Sequence, residues 1–426
     1  MVDVAKVRMF GQNIGTFVWD DSYRVARFEY DNDFVGKGIE PSPIMMPVQQ
    51  GRIYSFGSLN WDTFNGLPGM LADSLPDTYG RALFDQWLTL TGRTTSNPVE
   101  SLCFLGQRCM GALEFEPATG PSSDANMKFE IDTLIDVARE ALSKKKDFGV
   151  NLDVDRKSAI AEILRLGTSA GGQRAKAIIA YNKETGDVRS GQISAPEGFD
   201  YYLIKLDGVT AEAGFKETEN FGRLEYSFSE LVKNCGIDMT ECSLIEENGR
   251  AHFLTKRFDR ENGRKIHMQT LCGMAHYDFR LKNGHSYEQA FNVMRRLRLP
   301  YSQAQEMFRR IVFNVVVRNQ DDHTKNISFL MDPSGQWRLS PAYDMGFAFN
   351  PKGAWTATHQ MSINGKFDNI TRADLLSLAN ANNIKNASEI IDQLCETAAE
   401  WPELAKNCGV PQKMIDEILP HLLLKI

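Results

Sequence analysis

The sequence predicts an α+β protein of two or three subdomains, and three features carry that expectation. The chain's 426 residues exceed what a single hydrophobic core usually serves. Short strand signals crowd the stretch from Val4 to about Pro117, and Pro117-Ala118-Thr119-Gly120-Pro121-Ser122-Ser123 then forms the clearest linker. Beyond it helical periodicity takes over, most strongly between Gln303 and Val317.

Taken in order, Lys6 to Phe10 and Thr16 to Trp19 read as strands joined by a hairpin turn over Gly11-Gln12-Asn13-Ile14-Gly15, and Arg24 to Tyr30 reads as a third. Leu75-Pro76-Asp77 leads into a helix from Tyr79 to Leu90, and Gly111 to Phe115 closes this part with a strand. After the linker, Ile131, Leu134, Ile135, Ala138 and Leu142 mark one amphipathic helix. Ile160, Ile163, Leu164 and Leu166 mark a second that stops at Gly167. Ala177 to Tyr181 and Tyr201 to Leu206 are strands, a helix begins near Asn220 and ends at Gly236, and Ala251 to Arg260 is a strand running into a turn. The apolar positions Met307, Phe308, Ile311, Val312, Val315 and Val316 make the helix before residue 318 a core element. It is followed by a hairpin, Ile327 to Met331 and Gln336 to Leu339, turning at Asp332-Pro333-Ser334-Gly335.

Composition narrows the function classes. Apolar residues at 42% and charged residues at 24% are those of a globular protein, and no apolar run approaches the ~20 residues of a membrane span. The N-terminus lacks the apolar core of a signal peptide, so a cytoplasmic location and no membrane partner are expected. The seven cysteines include no Cys-x-x-Cys pair, which argues for buried free thiols over disulfides or zinc. A net charge of −7 exerts no general pull toward nucleic acid. The basic clusters Arg295, Arg296, Arg298, Arg309, Arg310 and Lys144 to Lys146 alternate with helical apolar positions, and read as solvated helix faces.

The chemistry is concentrated late in the chain. Asp321, Asn326 five residues on, and Asp344 after the hairpin supply a carboxylate, a carboxamide and a second carboxylate in the order that phosphoryl transfer needs. Those posts are a proton acceptor, a metal-holding amide and a Mg²⁺-binding acid. The hairpin should bring Asp344 back beside Asn326, where the two can share a cation. Lys205, on a strand with its apolar neighbours facing the other way, suits a phosphate-binding lysine, and Glu225, twenty residues on, suits its helix partner. The Gly-rich run Thr168-Ser169-Ala170-Gly171-Gly172 before Lys176 permits close backbone approach to phosphate oxygens, although it is neither a dinucleotide fingerprint nor a Walker loop. His359-Gln360-Met361-Ser362-Ile363-Asn364-Gly365-Lys366 is a dense run to which the sequence alone assigns no role.

Together with Leu203-Ile204-Lys205-Leu206, Thr255-Lys256-Arg257-Phe258-Asp259-Arg260 and Leu339-Ser340-Pro341-Ala342-Tyr343-Asp344, these segments resemble the HipA-like serine/threonine kinases, toxins of bacterial type II toxin–antitoxin modules. The resemblance reaches the N-terminal part through Leu75-Pro76-Asp77, Gly80-Arg81 and Gly111-Ala112-Leu113. It implies an α+β, two-lobed protein-kinase-like fold, with a small mixed N-lobe, a helical C-lobe and an additional N-terminal α/β subdomain. The expected divisions are 1–117, 124–257 and 258–426. It further implies ATP and Mg²⁺ as cofactors, with Asp321 as general base and Asn326 and Asp344 as metal ligands. Ser169, Ala170, Gly171, Gly172, Lys176, Lys205, Glu225, Lys256, Arg257, Phe258 and Lys325 would serve the nucleotide, with residues 256–258 as the adenine hinge and Ser169 also autophosphorylated. Gln173-Arg174-Ala175 before Lys176 is where this chain departs from the family loop. The implied partners are a helix-turn-helix, HipB-like antitoxin, operator DNA reached mainly through it, and a protein substrate in translation such as an aminoacyl-tRNA synthetase. Asp321-x-His323-x-x-Asn326 also resembles the loop of phosphoinositide kinases, so a small-molecule or lipid kinase stays as an alternative, as does a non-catalytic corepressor.

Overall fold

A computed structural model describes residues 2–76, 78–90, 92–93, 95–120, 128, 131, 135, 174–191, 194–210 and 220–426. Ser169, Ala170, Gly171 and Gly172, Lys144 to Lys146 and the helix expected over 160–166 lie outside them. Of the helix expected from Ile131, the described Ile131 and Ile135 are helical and buried. The chain falls into two compact units, one of residues 1–39, 48–219 and 243–267, the other of 40–47, 220–242 and 268–426.

The first unit holds two antiparallel sheets. In one, β1 (Val4–Met9), β2 (Gln12–Asp20), β3 (Val25–Tyr30), β4 (Ile53–Tyr54) and β5 (Leu113–Glu116) run in the order β4-β3-β2-β1-β5. Alternation of buried Ala5, Val7 and Met9 with exposed neighbours is the period-2 pattern of a sheet with one wet face. The turn expected over Gly11 to Gly15 is shorter than that. It consists of Phe10 and Gly11, both at positive φ (51° and 76°), which is the two-residue geometry matching strand twist. Gly15 instead sits inside β2, where a Cβ would lie 2.4 Å from the Glu29 carbonyl, so this glycine permits close strand approach rather than a turn. Against the sheet lies the buried helix Pro98–Leu105, started by Asn97, whose side chain accepts from the Glu100 N–H at 2.9 Å.

The second sheet contains β6 (Arg174–Tyr181), β7 (Val188–Ser190), β8 (Asp200–Thr210), β9 (Cys242–Glu247) and β10 (Arg250–Lys256) in the order β7-β6-β8-β10-β9. Past β10 the chain forms the small hairpin β11 (Arg260–Glu261) and β12 (Arg264–Lys265). A buried carboxylate joins this hairpin to the first sheet's end. Asp259 accepts from Arg257 Nε at 2.9 Å and Nη2 at 2.7 Å, from Arg260 Nη1 at 2.9 Å and from the Gly111 N–H at 2.6 Å.

The second unit is mainly helical. The expected core helix is Tyr301–Val316, and its buried row continues into Phe221–Asn234, Tyr287–Arg296, Arg372–Ala381 and Ala387–Ala399. Trp401, fully buried, stacks on Phe228 with centroids 4.8 Å apart and donates its indole N–H to Ser227 Oγ at 3.2 Å. Arg310, read from sequence as part of a solvated face, is 6% exposed. Its guanidinium donates to Glu306 Oε1 at 2.8 Å and to the Ser340 carbonyl at 2.9 Å, tying the core helix to the segment that carries Asp344. The sheet β13 (His267–Thr270), β15 (Ser328–Met331) and β16 (Trp337–Leu339) has β15 at its centre. A parallel bridge joins β14 (His285–Ser286) to β17 (Met361–Ser362). All seven cysteines are free thiols. Among the described residues no helix is long and apolar enough to cross a membrane.

Candidate active site

The core helix ends at Val316, capped by Val317, and Arg318 turns the chain through φ 53° into residues 319–326. Asn319 fixes the start of that loop. Its side-chain N–H donates to Asn314 Oδ1 at 2.9 Å on the helix and to the Asp344 carbonyl at 3.3 Å, so one amide ties the loop to both flanking segments. Asn326 fixes the end, donating Nδ2 to the Asp321 carbonyl at 2.7 Å and leaving its amide oxygen as the atom available to a cation. Between these posts Thr324–Asn326 is a single 3-10 turn, with Thr324 Oγ1 donating to the Tyr277 carbonyl at 2.7 Å.

The expected hairpin forms, with Phe329 opposite Leu339 and Met331 opposite Trp337. It returns the chain so that Tyr343 donates its hydroxyl to the Lys325 carbonyl at 2.6 Å. Asp344, exposed and at φ 50°, comes close enough for its charge to act on Asp321. Burial first, then the charges of Asp344 and Asp322, push the Asp321 carboxyl above its ordinary range, while His323 and the Trp355 N–H pull it back. Asp321, Asn326 and Asp344 are thus one neighbourhood of hard oxygen donors with surplus negative charge, which fits Mg²⁺. No larger metal-holding group of His, Cys, Asp and Glu is found among the described residues.

Asp321 and Asp322 are adjacent yet opposite in environment. The Asp321 side chain keeps 44% of its surface open and takes a hydrogen bond on Oδ1 from Trp355 Nε1 at 2.9 Å. That of Asp322 is 1% exposed. Its Oδ2 accepts from the Tyr287 hydroxyl at 2.7 Å and faces His359 Nδ1 at 2.8 Å, and its Oδ1 accepts from the Gln360 N–H at 2.7 Å. Burial and the adjacent carboxylate drive the Tyr287 phenol far above its ordinary pKa, so it remains a donor. Tyr287, His359, Gln360 and Trp355 were given no role from sequence, though the run beginning at His359 stood out. The structure supplies a structural role: Trp355, His359 and Gln360 hold the loop of residues 319–326, and Asn364 and Lys366 anchor the run to Asp374 at 3.0 and 2.9 Å. Tyr287 had no sequence signal, since it reads as an ordinary apolar position at the start of an amphipathic helix.

The residues expected to serve a nucleotide sit as follows. Lys205 on β8 lies directly opposite Lys176 on β6 and Phe253 on β10, so both lysines share one sheet face. Lys176 is buried, and Lys205 Nζ stands 5.8 Å from the Phe253 ring centroid. Like charges facing each other across strands repel, an arrangement an anion would stabilise. Glu225 lies on the helix Phe221–Asn234, in the other unit from Lys205. Lys256 Nζ meets Asp200 at 2.7 Å. Arg257 gives its guanidinium to Asp259 and its backbone N–H to the Tyr201 carbonyl at 2.8 Å. Phe258, partly buried, follows as the first residue of the turn. Lys325 Nζ lies 4.8 Å above the Phe279 ring, which also meets His323 edge-on at 5.3 Å.

Comparison with known proteins places these features in context. Residues 168–402 match the model of the HipA-like C-terminal domain and residues 5–116 that of the HipA N-terminal domain. A Haemophilus influenzae protein provisionally described as a kinase is 29% identical over 136 residues, 28% of this chain and 39% of its own length. The serine/threonine-protein kinase toxin HipA of Shewanella oneidensis is 35% identical over 65 residues, 15% of each. The curated relatives are therefore matched over well under two-thirds of their length. Among solved structures, HipA of Shewanella oneidensis, determined with HipB and operator DNA, superposes with a TM-score of 0.68 at 18% identity, covering 98% of this chain and 94% of that one. That likeness shows an α+β, kinase-like fold.

Proposed function

The chain belongs to the HipA-like family, and on that premise we propose that it is an ATP-dependent serine/threonine protein kinase acting as the toxin of a toxin–antitoxin pair. The observation that carries this reading is the assembly of Asp321, Asn326 and Asp344 on one rigidly held loop and hairpin. Asp321 accepts the proton of the acceptor hydroxyl, Asn326 and Asp344 hold the cation, and Lys205 with Lys176 takes phosphate charge. When bound, ATP would supply the phosphoryl group and leave as ADP, and Mg²⁺ would neutralise the phosphate charge. In this reading residues 124–257 form the nucleotide lobe, 258–426 the catalytic lobe and 1–117 an accessory subdomain.

The substrate is a protein hydroxyl in translation, an aminoacyl-tRNA synthetase being the class the family resemblance points to. Ser169 in the Gly-rich loop is the site of self-modification. A phosphate there, carrying roughly −1.5 to −2 charge, would occupy the backbone N–H donors meant for ATP and so switch the enzyme off. The partner is a HipB-like helix-turn-helix protein through which operator DNA is reached.

Phosphoproteomics after induction of the parent chain and of Asp321→Asn tests the reading. Phosphosites on a translation protein that appear only with the parent support it. Identical phosphoproteomes, with the parent accumulating to the same level, would sink it.

A further inference from the structure

The loop of residues 350–358 touches the catalytic carboxylate itself. Trp355 donates its indole N–H to Asp321 Oδ1 at 2.9 Å, and its own carbonyl accepts from Gln360 Nε2 at 2.6 Å. Gln360 also reaches the Thr358 carbonyl at 3.0 Å and, through its backbone N–H, Asp322 Oδ1 at 2.7 Å. On the other side, Lys282 Nζ holds the Ala354 carbonyl at 2.7 Å, and Asn350 donates its N–H to the Thr356 carbonyl at 3.2 Å. The indole is thus fixed through the backbone on both flanks, and the partner of its N–H is the proposed base.

We propose that Trp355 is a positioning residue for phosphoryl transfer: by occupying Oδ1 it fixes the rotation of the Asp321 carboxylate and presents Oδ2 to the acceptor hydroxyl. The inference rests on the assignment of Asp321 as the base. Three properties of the contact support it. An indole N–H donates and cannot accept, so it neither competes for the substrate's proton nor relieves Asp321 of its work. The Asp321 side chain keeps 44% of its surface open, so a hydroxyl can reach the oxygen that Trp355 leaves. Asp344 and Asp322 both repel the carboxylate, and a fixed donor on one oxygen opposes the rotations that this repulsion favours. A base held within hydrogen-bond reach of its target transfers a proton more effectively than one that samples several rotamers.

The test uses the full chain. Trp355→Phe keeps the ring and removes only the N–H, and steady-state ADP formation with Mg²⁺ and ATP reads kcat and the KM for ATP separately. The expected result is a fall in kcat of roughly tenfold, the weight of one hydrogen bond to a charged group, with KM for ATP unchanged within about twofold. A merely structural defect would move both. A second readout needs no turnover. The protein has 6 tryptophans, and the indole ¹H–¹⁵N peak missing in Trp355→Phe should be the one that shifts in Asp321→Asn. If Asp321→Asn loses activity while Trp355→Phe matches the parent in kcat, and the indole peak stays in place, the role of Trp355 is overturned and the base assignment survives. If Asp321→Asn is as active as the parent, the base assignment falls and this inference with it.

Discussion

Replacing Asp259 by Asn should destabilise the first unit by about 3–5 kcal/mol, the range for removing one partner of a buried ionic cluster. The carboxylate is fully buried and takes four hydrogen bonds, three from the guanidiniums of Arg257 and Arg260 and one from the Gly111 N–H. The Arg257 and Arg260 side chains are themselves 1% and 6% exposed, so the substitution leaves two guanidiniums without their counter-charge and without water to replace it. The new amide also turns an N–H toward donors that need an acceptor. Although burial alone would raise it, Asp259 is held well below the usual carboxylate range by Arg257 and Arg260. A depressed folded-state pKa contributes stability that is present above the unfolded value of about 3.9 and lost as pH falls below it. Urea unfolding of the full chain should therefore show a lower midpoint for Asp259→Asn at pH 7. Its deficit should be constant from pH 7 to 5 and shrink below about pH 4, as the parent loses the same contribution. The double change Arg257→Met with Asp259→Leu, which removes charge from both sides, should recover part of the loss. Equal midpoints for parent and Asp259→Asn at pH 7 would refute the argument.

Three further outcomes are expected. Asp322→Ala leaves Tyr287, His359 and the Gln360 N–H without their buried acceptor; at about 1–3 kcal/mol per orphaned donor, with incomplete additivity, thermal or urea unfolding should record a loss of at least about 3 kcal/mol. Asp344→Asn should abolish phosphoryl transfer with unfolding unchanged, whereas Asp344→Ala should lose activity and also some stability, because residue 344 sits at φ 50°, a conformation Asn tolerates and Ala resists; circular dichroism melts alongside ADP formation separate the two. Lys205→Ala should weaken ATP binding by equilibrium titration, since it removes a cation from the sheet face that Lys176 shares.

How much of this was legible beforehand depended on the range of the contacts involved. The helix before residue 317 and the hairpin after residue 326 were readable because their signals are local: apolar residues at helical spacing, and Asp-Pro-Ser-Gly between two short runs. Phe221–Asn234 was readable for the same reason, with Gly236 at φ 70° stopping it. The first turn was misjudged because Gly15 suggested a turn residue, while its actual demand comes from Glu29 on a neighbouring strand. Arg310 was misjudged similarly: its acceptors, Glu306 apart, lie on segments distant in sequence. Buried helices such as Pro98–Leu105, covered on all sides, carry no two-faced periodicity to detect.

The same contrast of range governs the site. Nothing in the dipeptide Asp321-Asp322 distinguishes a base from a structural anchor, and only the five-residue spacing to Asn326 favoured the first. The structure separates them by the number of donors each carboxylate already has. Asp322 receives three, on both oxygens, from a helix start at Tyr287 and from residues 359 and 360, so its acceptor capacity is spent inside the protein. Asp321 receives one on its carboxylate and keeps open surface. A carboxylate can accept a proton from a substrate only where an oxygen is both unoccupied and reachable, and of the two Asp321 meets that condition, which supports the role proposed for it. The buried neighbour then has a mechanical consequence. Consecutive residues share a peptide unit, so anchoring Asp322 through three donors on two segments fixes the backbone from which Asp321, the proposed base, projects.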